Sequence, residues 1–283
     1  MITQILNGLV YGGLLYILSV GLVLIFGLRR VVNFAHGSLF MIGAYIGYSV
    51  TARAGFLPGL VSAVVVMAAF GVLLDVGVFR PLQRHDPLLT VLVTFGILMV
   101  LEDVARSVWG KDYITVAVPA GLDGNASLFG VAFPIYRLMV IALSLLTVSV
   151  LAIWLKRSAI GLYVRASSAD PLVTAMQGVN TDRVSAMVVA IGAGLAGMSG
   201  VIAAPLMALS PSMGSYILVD CFIVVVVGGL GSFVGAFVAA MFIGQIHNFG
   251  IVYLPWAASS IPFVIMIAVL IWRPTGLSGK AAT

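Results

Sequence analysis

Long apolar segments dominate this 283-residue chain and constrain its fold more than any other feature. A helix needs about 20 apolar residues to cross the hydrocarbon core of a bilayer. Only 8% of the residues are charged, whereas about 25% is usual for a soluble domain. The sequence therefore predicts an all-α, polytopic membrane helix bundle that forms one transmembrane domain over residues 1–283. Full-length spans are predicted to begin near Ile5, Phe56, Pro87, Ile135 and Val184.

The number of crossings depends on residues 216–249. Tyr216–Val227 is apolar but only about half the length of a span. A glycine-rich break follows at residues 228–232, and Phe233–Phe249 is apolar again. These residues fit either a broken pair of helices or a re-entrant hairpin. We therefore predict about eight or nine crossings, with broken or re-entrant segments near the end of the chain.

The basic residues predict the orientation of the chain, because cytoplasmic loops carry an excess of Lys and Arg. If the segments alternate, the N-terminus is outside and the C-terminus is cytoplasmic. Residues 156–183 then form a cytoplasmic loop and residues 110–134 a periplasmic loop. Basic residues at segment ends, rather than in a patch, also argue against a nucleic-acid partner. Ten of the fourteen Lys and Arg residues fall on the predicted cytoplasmic side: Arg29, Arg30, Arg80, Arg84, Lys156, Arg157, Arg165, Arg183, Arg273 and Lys280.

The stretch 156–183 is polar and Ala-rich and lies between two apolar segments. Asp170 is a good N-cap and Pro171 suits a first helical turn. Residues 170–177 therefore predict a short helix that stops at Gly178. This helix needs a surface to lie against, which could be lipid, the bundle itself or a soluble partner. Its polar face carries Thr174 and Gln177, and its apolar face is predicted from Leu172, Ala175, Met176 and Val179.

Two polar breaks are candidates for lining a substrate path. Irregular backbone at membrane depth is tolerated only where it is buried in protein or lines a cavity. The alternatives are close packing of helices through glycine and a capped helix turn in which His36 binds a backbone carbonyl. The first break contains Asn33, His36 and Gly37, and the second contains Gly228, Gly229, Gly231 and Ser232.

Acidic residues in spans are costly and usually have a partner or face an internal path. Glu102 precedes Arg106 by one helical turn, which predicts a local ion pair. Asp75 lies near Arg80 and is interpreted as interfacial. Asp220 has no basic neighbour in sequence, so it is a candidate for the substrate path. Three other residues are interpreted without a chemical role, His247 and Asn248 as interfacial and Cys221 as a buried small side chain.

Motifs for chemistry are missing from the sequence. It has no glycine-rich nucleotide loop, no metal-ligand spacing and no nucleophile motif. The single cysteine excludes an internal disulfide. We therefore expect a transport subunit rather than an enzyme, with no cofactor in this chain.

Taken together, five ordered motifs resemble the LivH-type permeases of branched-chain amino acid ABC transporters. The resemblance covers nearly the whole chain. The matching stretches are Asn33–Gly37 with Met41–Tyr45, Arg80–Leu82, Arg165–Arg183, Val227–Ser232 with Gly235–Ala236, and Arg273–Leu277 with Gly279.

This resemblance implies an importer in the bacterial inner membrane. A second permease chain, of LivM type or a copy of this chain, would complete the pore within the lipid. Two cytoplasmic ATPase subunits would bind ATP and Mg, and a periplasmic binding protein would deliver the substrate. Residues 170–177 would be the coupling helix. The residues implied in ATPase coupling are Arg165, Asp170, Pro171, Leu172, Ala175, Met176 and Gly178.

The substrate implied is a branched-chain or related amino acid. The same motifs are also similar to those of urea and short-amide permeases in this superfamily, and other members take aromatic or organic acids. An ion-gradient-driven secondary transporter is the alternative from another class. It would require an intramembrane acid that titrates with transport, for which Asp220 and Glu102 are the candidates.

Overall fold

The structure is a computed structural model that describes residues 1–83, 85–128 and 130–278. Most of these residues are helical, so the prediction of an all-α membrane bundle is confirmed. Arg84 and Lys280, which contributed to the predicted orientation, lie outside the described residues, as does Gly279.

Six helices in the described part of the chain are long and apolar enough to cross a membrane. They are α1 (Ile2–Arg29), α3 (Phe56–Leu74) with its continuation through α4 (Arg80–Leu82), α5 (Pro87–Trp109), α6 (Ile135–Arg157), α9 (Thr181–Ala203) and α11 (Phe233–Tyr253). The remaining elements are α2 (Ala35–Ala54), α7 (Ala159–Ala169), α8 (Pro171–Met176), α10 (Met213–Gly228), α12 (Ile261–Trp272) and an antiparallel hairpin of β1 (Asn125–Leu128) and β2 (Val131–Pro134).

Helix α1 is the centre of the bundle. It packs against α6, α9, α10 and α11. In the most apolar stretch of α1, 83% of the residues are buried, whereas 22% are buried in the corresponding stretch of α5. A helix that is apolar on all sides belongs in a core, whereas exposed apolar faces on α3, α5 and α6 suit contact with lipid.

Glycines bring the central helices into backbone contact. A Cβ atom on Gly21 would lie 2.6 Å from the carbonyl oxygen of Gly192 in α9. One on Gly12 would lie 2.7 Å from the carbonyl oxygen of Ala240 in α11. Small residues at membrane helix contacts permit this approach, because lipid gives no hydrophobic force between helices and packing has to supply it.

The bundle has two ends, which we name the Met1 end and the Arg29 end after the limits of α1. Helix α11 runs antiparallel to α1, since Asn248 donates a hydrogen bond to the carbonyl of Gln4 and Gly231 lies near Gly27. Arg137 lies at the Met1 end, where it contacts Asn7. Arg29 and Arg80 meet at the Arg29 end.

The two polar breaks lie at different depths. The first is inside the bundle, because His36 Nε2 is 2.9 Å from the carbonyl oxygen of Leu18, in the middle of α1. The second, residues 228–232, is a turn between antiparallel helices α10 and α11 at the level of Gly27. Residues 216–249 therefore fall in two helices joined by a turn, and the depth of this turn in the membrane stays a prediction.

Candidate functional site

Helix α8 has the boundaries and caps that its sequence predicts. Asp170 accepts hydrogen bonds from the backbone N–H groups of Leu172 and Val173, at 2.9 and 3.0 Å. Pro171 occupies the first turn, and Gly178 adopts a left-handed conformation with φ of 84°. Asn180 then caps α9 by accepting from the N–H of Arg183 at 2.9 Å. These local bonds fix where α8 stops and where α9 begins.

The apolar face of α8 points away from the bundle. Leu172 is 66% exposed and Met176 is 75% exposed, whereas Thr174 is only 6% exposed. Val173, rather than Val179, contributes to the outward face, since Val173 is exposed and Val179 is half-buried. The sequence placed Thr174 on an outer polar face, but its hydroxyl donates inward along the helix to the carbonyl of Asp170. A contiguous exposed apolar face of this kind marks a contact surface.

Helix α7 extends this surface and was not predicted. Ser158 caps it by accepting a hydrogen bond from the N–H of Gly161 at 2.8 Å. Leu162 and Tyr163 are exposed on it, as is Arg165. We name the exposed side chains of α7 and α8 the α7–α8 surface. It comprises Leu162, Tyr163, Arg165, Leu172, Val173, Ala175 and Met176.

A buried ionic cluster lies beneath the α7–α8 surface. Asp75 is completely buried in a single π-helical turn between α3 and α4. Its carboxylate accepts from Arg29 at 2.6 Å and from Arg80 at 2.9 Å. Ser185 of α9 is its third partner and donates a hydrogen bond of 2.8 Å. We name these four residues the Asp75 cluster. The carboxylate of Asp75 is enclosed by protein at the Arg29 end of the bundle, and its interpretation as an interfacial residue stays a prediction.

The Asp75 cluster joins three helices that are distant in sequence. Arg29 ends α1, Asp75 follows α3, and Ser185 lies in the first turns of α9. Arg80 also donates to the carbonyl of Asp182, in the first turn of α9. Since α9 starts just after α8, a displacement of the α7–α8 surface would act directly on this cluster.

The glycine-rich turn at 228–232 both packs closely and borders a cavity. A Cβ atom on Gly228 would lie 2.6 Å from the backbone of Gly235, so this position has room only for glycine. Gly229 adopts a positive φ of 99°. Gly231 and Ser232 line a cavity of about 590 Å³ at the Arg29 end, together with Arg30 and Ser168.

The break at residues 33–37 is completely enclosed. Asn33 and His36 are buried, and Gly37 packs against the backbone of Gly214 in α10. Asn33 Oδ1 accepts from the N–H of Ala35 at 3.0 Å, and His36 reaches Leu18. The other polar atoms, Asn33 Nδ2 and His36 Nδ1, have no hydrogen-bond partner within the described residues. The proposed place of this break on a substrate path stays a prediction.

Asp220 finds its partner on α1. Its carboxylate accepts a hydrogen bond from the hydroxyl of Tyr11 at 2.6 Å. The ring of Tyr11 stacks on His247 with a centroid distance of 4.3 Å. His247 is therefore a half-buried packing partner of Tyr11 at the Met1 end of the bundle, and its interpretation as an interfacial residue stays a prediction. Neither Tyr11 nor His247 was predicted to belong to a site, because their neighbours come from helices far away in sequence.

The simpler predictions for Glu102 and Cys221 are confirmed. Arg106 Nη2 lies 3.8 Å from Glu102 Oε2, one turn along α5. Ser215 also donates a hydrogen bond to Glu102. Cys221 is completely buried. Among the described residues, no group of three or more His, Cys, Asp or Glu side chains could hold a metal ion.

Comparison with known proteins identifies the family of this chain. Residues 4–270 match the family described as the permease component of the branched-chain amino acid transport system. The chain belongs to this family. The match spans the bundle from α1 into α12, so the permease family accounts for the whole membrane domain. A permease is a transport component rather than an enzyme, and it works with other components.

Several members of this permease family are similar to the chain. The high-affinity branched-chain amino acid transport system permease protein BraD of Pseudomonas aeruginosa is 27% identical, over 98% of this chain and 95% of BraD. LivH of Escherichia coli K12 is 26% identical with the same coverage. A probable LivH of Methanocaldococcus jannaschii is 26% identical, over 98% of this chain and 92% of that protein. No protein of solved structure matches the chain.

Proposed function

We propose that this chain is the permease subunit of an ATP-driven importer for branched-chain or related amino acids. The observation that carries the proposal is the α7–α8 surface, which places exposed apolar side chains at the basic end of a bundle from the permease family. The excess of Arg at this end supports its assignment to the cytoplasm. The Met1 end then faces the periplasm of a bacterial inner membrane.

The α7–α8 surface is the proposed docking site for a cytoplasmic ATPase. Leu172 and Met176 would enter a groove of that partner, with Arg165 at the edge. A helix that lies on anionic lipid would carry Lys or Arg on its polar face, and α8 carries neither. The partner would bind ATP and Mg, while this chain binds neither.

Coupling would pass from α8 into the bundle through α9. A push on α8 displaces the start of α9, and the Asp75 cluster ties that start to the end of α1. ATP binding by the partner would therefore bias the position of the central helix. ATP binding can shift the equilibrium between two transport states of the permease only if the ATPase, with ATP bound, has a different affinity for each state.

The pore requires a second permease chain, either a related subunit or a second copy. A periplasmic binding protein would deliver the amino acid to the Met1 end. Named relatives act in branched-chain amino acid transport, which supports this substrate class over urea, short amides and aromatic or organic acids.

The test is uptake by the purified complex in proteoliposomes, with the binding protein supplied on the side of the Met1 end. Met176→Asp would place a charge in the docking site, and we expect uptake and co-purification of the ATPase to fall about tenfold or more. Tyr113→Asp is the matched control, because Tyr113 is equally exposed, at 76%, in the loop 110–134. Unchanged uptake by Met176→Asp would refute the docking site.

The ion-driven alternative is tested with the same vesicles. The half-buried Asp220, bonded to Tyr11, is the observation in favour of it. Uptake that follows a proton or sodium gradient without ATP, and that is lost in Asp220→Asn, would support a secondary transporter. Uptake that needs ATP and survives Asp220→Asn would exclude it.

A further inference from the structure

A cavity at the Met1 end has the size and lining of a small-molecule site. It has a volume of about 330 Å³ and lies between α1, α6, α11 and the residues that follow α9. Pockets for small ligands begin at about 300 Å³ and combine apolar walls with a few convergent polar groups. We name it the Arg137 cavity. It lies at the opposite end of the bundle from the cavity lined by Gly231 and Ser232.

Arg137 supplies the positive charge of this cavity. No carboxylate of the described residues lies within 4.0 Å of it. Its guanidinium donates one hydrogen bond to the side-chain oxygen of Asn7, which orients it and leaves its other N–H groups available. Arg137 also lies in the first turn of α6, where the helix dipole disfavours a cation that has no anion beside it.

Asn248 and His247 supply hydrogen-bond acceptors on the α11 side. Asn248 directs its amide nitrogen to the backbone and side-chain oxygens of Gln4, at 2.8 and 2.9 Å. Its amide oxygen is left for a ligand. His247 is held by its stack on Tyr11, and its side chain lines the cavity. A neutral imidazole offers one acceptor nitrogen.

The rest of the lining is apolar. Val10 and Leu14 of α1 form one wall, and Leu206 and Met207 form another. These aliphatic side chains offer van der Waals contact and no hydrogen bond, so they suit an aliphatic group of the ligand. The cavity thus combines a guanidinium, separate acceptor atoms and an aliphatic surface.

We infer that the Arg137 cavity binds the zwitterion of an aliphatic α-amino acid on its way into the pore. Arg137 binds the carboxylate, Asn248 and His247 accept from the ammonium group, and the aliphatic wall contacts the side chain. A phosphate group from lipid would satisfy Arg137 but would have no donor for Asn248. This inference rests on the proposed function, because it assumes an amino acid substrate.

The test is direct binding to the purified transporter complex in lipid nanodiscs, without binding protein. Saturation-transfer NMR detects weak contacts of L-leucine with the protein. We expect the leucine signal to saturate as the leucine concentration rises. Leucinamide, which lacks the carboxylate, and 2-hydroxy-4-methylpentanoate, which lacks the ammonium group, should compete poorly with leucine. Inorganic phosphate should not displace leucine. Loss of a charge-assisted hydrogen bond should weaken binding about tenfold or more in Arg137→Gln.

Two other variants keep the test decisive. Met207→Trp fills the cavity without changing its charge, and it should also abolish the leucine signal. Arg53→Gln, an exposed arginine at the end of α2 and away from the cavity, is the matched control and should bind leucine normally.

Three results would overturn the inference. Leucine could bind equally to all variants, phosphate could displace it as effectively as leucine itself, or wild-type complex that transports leucine could give no signal. In the last case the proposed function stands and only the cavity fails. A complex that transports no branched-chain or related amino acid, even with its binding protein present, would refute the proposed function itself.

Discussion

Arginine is used in opposite ways at the two ends of the bundle. At the Arg29 end, Arg29 and Arg80 enclose one buried carboxylate, and Ser185 completes its hydrogen bonds. At the Met1 end, Arg137 has an amide partner but no carboxylate among the described residues. The difference shows that the role of an arginine in a membrane bundle depends on which group supplies its negative partner. Where the protein supplies the negative partner, the arginine is part of a structural cluster. Where the protein supplies none, a ligand can provide the negative charge.

The largest effect is expected from Asp75→Ala. This change leaves two guanidinium groups at a site built for three charges, and breaking a buried pair costs about 3–5 kcal/mol. We expect a marked loss of folded protein, measured as thermal unfolding of the detergent-solubilised chain by size-exclusion chromatography.

Asp112→Ala removes an exposed acid in the loop after α5 and serves as the control. Asp75→Ala combined with Arg29→Met should be less damaging than Asp75→Ala alone, because it removes an uncompensated charge as well. If Asp75→Ala were as stable as the wild type, the Asp75 cluster would not be structural, and the contrast with Arg137 would be refuted.

The next effect is on transport rather than on stability. Arg137→Gln should lower amino acid uptake by about tenfold, since a charge-assisted hydrogen bond contributes about 1.5–3 kcal/mol. Its unfolding temperature should stay close to that of wild type, because no ion pair is broken. Arg137→Lys keeps the charge and should retain part of the uptake. A fall in stability equal to that of Asp75→Ala would show that Arg137 is structural.

Ser185→Ala should have an intermediate effect on stability. It removes one hydrogen bond to the buried carboxylate, and a hydrogen bond to a charged group contributes about 1.5–3 kcal/mol. Thermal unfolding measures it, with Ser149→Ala on the exposed side of α6 as the control. A change below the error of the measurement would mean that Arg29 and Arg80 satisfy Asp75 without help.

The smallest effect is expected at the pair of Glu102 and Arg106. Arg106 is exposed and the two charges are 3.8 Å apart. Pairs of this type contribute about 0.3–0.5 kcal/mol on a helix. Arg106→Gln should therefore leave unfolding nearly unchanged. A loss comparable to that of Ser185→Ala would show that the contact of Ser215 with Glu102 makes this pair part of the core.

The sequence could predict structural features that depend on residues close together in the chain. The caps of α8 depend on residues close together in sequence, so Asp170 and Gly178 were identified from spacing alone. The pair of Glu102 and Arg106 is local too. The family motifs added the order of the elements, which the pattern of a single helix cannot give.

Contacts between distant helices could not be predicted in this way. Asp75 meets Arg29 and Ser185 across 46 and 110 residues, and Arg137 meets Asn7 across 130. Helix α7 was missed although it is amphipathic, because residues 156–169 were interpreted as part of a polar loop. One signal for the Arg137 cavity was nevertheless present, since Arg137 is a basic residue outside the predicted cytoplasmic set.

The contacts between glycine backbones have a consequence for motion. Where Gly21 meets Gly192, and Gly12 meets Ala240, no side chain intervenes that could change rotamer and let the helices slide. Helices α1, α9 and α11 are therefore expected to move together, and in the proposed importer the pore would open and close as this group of helices tilts against the second permease chain.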